Sequence, residues 1–213
     1  MNRIDAKVIE ESFDYTTYRE LIDKLIAENK TTGDNHSEAM LNYTRLNISR
    51  MKRLDRTTKL SDASLQKLAT IDQPMIWLVI TEAWCGDAAQ VVPVMEKLAA
   101  ENDNIELRLI LRDENPAIMD AFLTNGGRSI PKLIILDKAS LDVLGSWGPR
   151  PEVLQTMVMD TKAEVQTIND PVERKAKWDA VKYETQRWYA KDKTQGIQTE
   201  LLDAVLEACP ECV

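Results

Sequence analysis

Six consecutive apolar residues, Met75-Ile76-Trp77-Leu78-Val79-Ile80, follow Pro74 and give way within a few positions to a helical pattern. The run is too short for a buried helix, and a strand covered on both faces shows no polar alternation, so it predicts a central parallel strand. Similar runs occur at 105–111, at 132–136 after Pro131 and, more weakly, at 141–144. Helical patterns separate the first three: 86–101 carries Val91, Val92, Met95, Leu98 and Ala99 on one face, and 116–124 carries Ile118, Met119 and Phe122. Strand alternating with helix predicts an α/β fold whose parallel strands are joined by helical crossovers.

Both flanks read as helical. Residues 13–29 set Tyr18, Leu21, Ile22, Leu25 and Ile26 on one face, and the stretch 30–37, with Gly33, Asp34 and Asn35, ends that pattern. A second helix is expected over 37–56 and a third over 61–70 with Ser61 as N-cap. Beyond Pro149, Leu154, Met157, Val158, Val165 and Ile168 make one apolar face and Trp178, Val181, Trp188 and Tyr189 a second. Ile197, Leu201, Leu202, Val205 and Leu206 make a third, with Pro171 and Gly196 as the breaks. With no internal repeat, low-complexity tract or clear linker, these helices are expected to pack on one α/β core.

With 213 residues, 44% apolar and 29% charged, the chain can build a core without disulfide staples, and disorder is excluded. A formal net charge of −8 argues against a general polyanion binder, so nucleic acid is not an expected partner. No apolar run approaches the roughly 20 residues of a membrane span. Residues 1–20 lack the basic-then-apolar pattern of a secretory signal, and the expectation is a cytoplasmic chain without a membrane segment. Three cysteines, Cys85, Cys209 and Cys212, are too few and odd in number for a disulfide framework and suit chemistry better than scaffolding.

Cys85 lies in Thr81-Glu82-Ala83-Trp84-Cys85-Gly86-Asp87-Ala88-Ala89, between the predicted central strand and the helix after it. A sulfur at such a junction faces unpaired backbone N–H groups and the positive end of the helix dipole, both of which favour the nucleophilic thiolate. Asp87 opposes this, because a nearby carboxylate disfavours a second negative charge. The sequence does not decide between the two effects, and it also leaves Asp87 open as a helix cap.

These residues resemble the active-site signature of the thioredoxin-like superfamily, specifically of bacterial thioredoxin family proteins with a Trp-Cys-Gly-Asp motif. Trp84, Cys85 and Gly86 match, and Pro93 stands where thioredoxins carry the proline that kinks this helix. Arg128-Ser129-Ile130-Pro131-Lys132-Leu133 resembles the family loop whose cis-proline faces the cysteine, which implies a substrate groove at Ile130 and Pro131. Leu144-Gly145-Ser146-Trp147-Gly148 resembles the final hairpin strand, and the last family helix is expected from about Pro151. The resemblance implies a thioredoxin-like domain over 60–165, an N-terminal helical extension over 1–59 and a C-terminal helical extension over 166–213 packed on the core. The sheet is expected to be mixed, with about four strands.

The departures bear on function. The second cysteine of the family's dithiol is replaced by Ala88, and the buried acid of the central strand by Val79, so dithiol exchange within the motif is impossible. The resemblance then implies thiol–disulfide exchange with Cys85 as single nucleophile on a protein or low-molecular-weight thiol or disulfide. Resolution would come from Cys209 or Cys212 of the terminal Cys-Pro-Glu-Cys, or from an external thiol. The alternative is a catalytically inactive thioredoxin-fold module that binds a peptide or protein. A zinc site at the tail would need ligands from a second chain, since the single histidine, His36, lies in an unrelated loop. No metal and no dissociable cofactor is implied. The cluster Arg50, Lys52, Arg53, Arg56 and Lys59 reads as a solvated helix face, Arg128 as a loop charge, and Trp178, Trp188 and Tyr189 as packing residues.

Overall fold

The computed structural model describes residues 1–210. Four strands, β1 (Met75–Thr81), β2 (Ile105–Leu111), β3 (Lys132–Asp137) and β4 (Val143–Trp147), form one sheet in the order β2-β1-β3-β4. β1 pairs with β2 in parallel, and β3 runs antiparallel to both β1 and β4. The mixed sheet with helical extensions agrees with the expectation from sequence. Nine helices are present among the described residues: α1 (Ala6–Glu10), α2 (Tyr15–Ala27), α3 (Glu38–Thr57), α4 (Asp62–Ala69), α5 (Ala88–Ala99), α6 (Pro116–Ala121), α7 (Glu152–Thr167), α8 (Pro171–Asp192) and α9 (Gln195–Ala208).

The unbroken apolar run of β1 has a direct cause. Trp77 and Val79 join a core shared with Tyr18 of α2, Met51 of α3, Val91 of α5 and Leu201 of α9. Ile76, Leu78 and Ile80 point to the opposite face, where Ile118 and Met119 of α6 and Ile4 beside α1 cover them. All seven β1 residues are buried, as a central strand with helices on both faces requires. β2 lies at the edge, and there Glu106 and Arg108 alternate with buried Ile105, Leu107 and Leu109.

Residues 1–14 do more than precede the first helix. Arg3 bridges to Asp142 beside β4, whereas Phe13 exchanges two backbone hydrogen bonds with Leu109 of β2, at 2.9 and 2.8 Å. The segment crosses the α6 face and touches both edges of the sheet, which would otherwise expose unpaired backbone.

Two boundaries differ from the sequence reading. The last strand starts at Val143 and not at 141, because Leu141 sits in a tight turn with a φ of 61°. In that turn the Asp137 carboxylate accepts from the Ala139 and Ser140 N–H groups. The break between the last two helices falls at Lys193 and Thr194, both left-handed, and Gly196 belongs to the first turn of α9. A Cβ at Gly196 would stand 2.7 Å from Asp192 Oδ1 and 3.2 Å from the Trp188 ring, so this glycine permits close helix packing. Ser61 caps α4 as expected, its hydroxyl accepting from the Ser64 N–H at 3.0 Å.

Candidate active site

The loop between β1 and α5 is fastened from three sides. The Ala83 N–H donates to Thr32 Oγ1 at 2.9 Å, the Ala83 carbonyl accepts from Asn47 Nδ2 at 2.9 Å, and the Asp113 N–H donates to Glu82 Oε1 at 3.0 Å. The Arg112 guanidinium lies over the Trp84 ring, 4.7 Å from its centroid. Such anchoring fixes the backbone that presents Cys85 at the start of α5.

The half-buried Cys85 Sγ donates to the Ile130 carbonyl at 3.2 Å and accepts from the Ala88 N–H at 3.5 Å. The peptide bond between Ile130 and Pro131 is cis. Trp84, Cys85, Gly86 and the Ile130-Pro131 pair therefore come together as the sequence predicts. Ala88 contributes its backbone N–H to the sulfur, while its buried methyl occupies the position of the missing second thiol.

The electrostatic contest left open by the sequence has an answer. Burial is the largest influence on Cys85, followed by the Asp87 carboxylate, and together they push the thiol up to about 12 against the N–H groups of Ala88 and Asp87 and the charge of Arg150. The resting sulfur is a thiol. Val79 leaves no acid in the middle of β1, but Glu82 at its end is fully buried, and burial holds that carboxyl above the usual carboxylate range.

Asp87 occupies the N-cap position of α5 without making a side-chain cap hydrogen bond, so the capping alternative is not the one adopted. Its carboxylate instead accepts from Arg150 Nε and Nη2, at 3.0 and 2.8 Å, and from the Tyr189 hydroxyl at 3.0 Å. Arg150 is held in turn by Gln155 Oε1 at 2.8 Å. This network joins the active-site loop to the start of α7 and to α8.

α3 and α8 then build a wall over Gly86, and Ile130 and Pro131 do not line the cleft so formed. A Cβ on Gly86 would lie 3.4 Å from Arg50 Nη1 and 3.5 Å from Gln186 Nε2, so both side chains stand directly over the residue after the cysteine. Arg50 donates to Asn47 Oδ1 at 2.9 Å, and Gln186 Oε1 accepts from Gln90 Nε2 at 2.7 Å. The half-open cleft has a volume of about 400 Å³, with Trp84, Cys85, Gly86 and Asp87 on one side and Arg50, Tyr43, Trp178, Lys182 and Gln186 on the other.

Other residues singled out by sequence fall elsewhere or change role. Arg128 makes a two-pronged ion pair with Asp120 on an exposed loop, at 2.6 Å for each bond, and is a loop charge as expected. Arg50 leaves the expected solvated face and lines the cleft, while Arg53 donates to Gln90 Oε1 at 3.3 Å. Tyr189 packs as expected yet also holds Asp87, and Trp178 lines the cleft in place of packing alone. His36 Nδ1 accepts from the Thr31 N–H at 3.4 Å, away from the cleft. Among the described residues no group of three or more His, Cys, Asp or Glu is placed to hold a metal, and no helix is long and apolar enough to cross a membrane.

Cys209 is buried in the larger core, and Cys212 lies outside the described residues. At the start of α9, Gln198 Oε1 accepts from Ser61 N and Ser64 Oγ at the beginning of α4. At its end, Ala208 packs on Gly145, which pairs with Ile135 opposite Trp77. That level is four strand residues before Thr81, about 13 Å along β1. The structure does not bring Cys209 to Cys85.

Arg150, Gln186 and Glu82 escaped the sequence reading. Only Glu82 carried a local signal, as an acid ending an apolar strand. Arg150 and Gln186 lie 63 and 100 positions from Asp87 and Gly86, the motif residues they serve, and no spacing rule links them.

A sequence model of the family described as "Thioredoxin" matches residues 33–166. No curated protein matches the chain. Among solved structures, the chain is similar to a protein of unknown function, PA1234 from Pseudomonas aeruginosa, at a TM-score of 0.59 and 17% identity, covering 95% of this chain and 97% of that one. It is also similar to an HIV epitope scaffold, at a TM-score of 0.57 and 14% identity, covering 94% of this chain and 96% of the other. At such identities these two likenesses speak for the fold alone. The family match covers more than half of the chain, on the same strands and helices that place Cys85 against a cis-proline, and the chain belongs to the thioredoxin family.

Proposed function

We propose that this protein carries out thiol–disulfide exchange with Cys85 as its single nucleophile and an external thiol as the resolving group. The observation that supports this is the position of Sγ, 3.2 Å from the Ile130 carbonyl before the cis peptide bond and at the start of α5, where an incoming disulfide can align with it. In the first step the Cys85 thiolate bonds to one sulfur of the substrate disulfide. The S–S bond breaks, and the departing thiolate takes up the proton that Cys85 gave to solvent. In the second step an external thiolate attacks the substrate sulfur, the bond to Cys85 breaks, and Cys85 recovers a proton. Cys209 is disulfide-bonded and buried in the core, so resolution by it requires that bond to open and the end of α9 to move, and an external thiol is the simpler route.

A thiol pushed up to about 12 is ionised in only roughly one molecule in 10⁵ at pH 7, which makes the exchange slow without substrate. That observation favours the second reading, a thioredoxin-fold module that binds without turnover. Incubation of the reduced protein with hydroxyethyl disulfide, followed by intact and peptide mass analysis, separates the two. An adduct on Cys85 that a second thiol removes, and that Cys85→Ser abolishes, is the expected result. No adduct under conditions that modify free cysteine would leave the binding module as the function.

A further inference from the structure

Cys85 opens into a cleft whose charge is opposite to that of the whole protein. Arg50, Arg150 and Lys182 line it against the single carboxylate of Asp87, in a chain of formal net charge −8. Arg150 is committed to Asp87, and Lys182 lies 3.6 Å from Asp179 on the exposed side of α8. Arg50 differs from both. Its hydrogen bond goes to the neutral Asn47 Oδ1, and burial, followed by the nearby Arg53, disfavours its charge against the weaker attraction of Asp87. A half-buried guanidinium that feels the Asp87 carboxylate only at a distance and makes no direct ion pair, poised over the residue next to Cys85, is suited to receive an anion.

The shape of the cleft limits what can carry that anion. α3 and α8 stand over Gly86, and Gln186 is held in place by Gln90, so the face beside Cys85 is a cleft walled on two sides and open to solvent between them. About 400 Å³ is in the range of small-molecule sites. Trp84, Trp178, Val158 and Val181 give the hydrocarbon part of a ligand an apolar surface.

We propose that the cleft selects an acidic low-molecular-weight disulfide, with Arg50 binding its carboxylate while Cys85 attacks its sulfur. This rests on the thiol–disulfide exchange reading and names the substrate class for that site. The bonds made and broken are those given above. The acidic half remains on Cys85 as the mixed disulfide with its carboxylate on Arg50, the other half departs as a thiol, and an external thiol then releases the bound half as a new disulfide.

The test compares two aromatic disulfides, the dianionic 5,5′-dithiobis(2-nitrobenzoate) and the neutral 4,4′-dithiodipyridine, with the signal of Cys85→Ser subtracted. Relative to 2-mercaptoethanol, the protein is expected to favour the anionic reagent about tenfold at low salt, and the preference should shrink as ionic strength rises. Arg50→Gln should remove most of that preference and Arg50→Lys restore part of it. A ratio equal to that of 2-mercaptoethanol and unmoved by Arg50→Gln would overturn the proposal while leaving exchange itself intact. Should neither reagent modify Cys85, the exchange reading fails, and binding alone decides. S-methylglutathione titrated into Cys85→Ser by tryptophan fluorescence should then bind at least tenfold more tightly than into the double variant with Arg50→Gln. Equal binding by the two proteins would sink the anion site.

Discussion

The two walls of the cleft differ in how their residues are held. The wall made by the β1–α5 loop, backed by the Ile130-Pro131 segment whose carbonyl holds the sulfur, is backbone: the sulfur bonds to a carbonyl and an N–H, and the loop is tied down through Ala83 and Glu82. The opposite wall, from α3 and α8, is made of long side chains, Arg50, Lys182 and Gln186, reaching in from helices outside the strand–helix core, with Tyr189 bonded to Asp87 from the core beneath. Backbone geometry fixes where the sulfur lies, whereas the side chains set charge and access. The first wall should therefore tolerate little change and the second should be tunable.

Gly148→Ala tests the rigid wall and should have the largest effect. Gly148 has a φ of 107°, and a Cβ there would lie 2.6 Å from the Pro131 carbonyl oxygen, which is backbone and cannot swing aside. A loss of about 4 kcal/mol in a denaturant titration is expected from strain and overpacking combined. A loss under 1 kcal/mol would show that this wall is softer than its backbone contacts indicate.

Asp87→Asn acts where the two walls join. It leaves the largely buried Arg150 without a counter-charge and should cost about 2 kcal/mol of stability. Its effect on Cys85 has the opposite sense. A carboxylate disfavours the thiolate, so its removal, with Arg150 released, lowers the Cys85 pKa. In the parent protein iodoacetamide modification should climb about tenfold per pH unit from pH 7 to 10 without levelling off. In the variant the same rise should begin at lower pH. Identical profiles would mean that burial alone sets the thiol.

Tyr189→Phe removes one hydrogen bond to the Asp87 carboxylate and keeps the packing, so about 1.5 kcal/mol is expected in the same titration. The Cys85 pH profile should scarcely move, because the Arg150 pair remains. A large shift would make α8, and not the Asp87–Arg150 pair, the element that controls the sulfur.

Part of this site was legible in the chain. The Cys85 junction sits in a short contiguous stretch that local spacing reports well, and the cis-proline and the Ala88 substitution were legible through the family resemblance. The basic run from Arg50 was visible too, but whether one of its members faces water or a cleft depends on how α3 docks against α5 and α8, which helical spacing does not encode. The path of the tail was equally hidden. A Cys-x-x-Cys near the terminus suggests a resolving pair, yet Gln198 on Ser61 and Ala208 on Gly145 direct α9 away from Cys85.

The sequence by itself determined the central strand, the alternation that gives the sheet, and a cysteine at a strand-to-helix junction, because each follows from the nearest-neighbour preferences of the backbone and from hydrophobic period. Only the tertiary structure decided that the sulfur rests protonated, that Asp87 answers to Arg150 rather than to its own helix, and that Arg50 overlooks the active site. Those properties are sums over groups far apart in the chain, and burial and Coulomb interaction depend on distance in space.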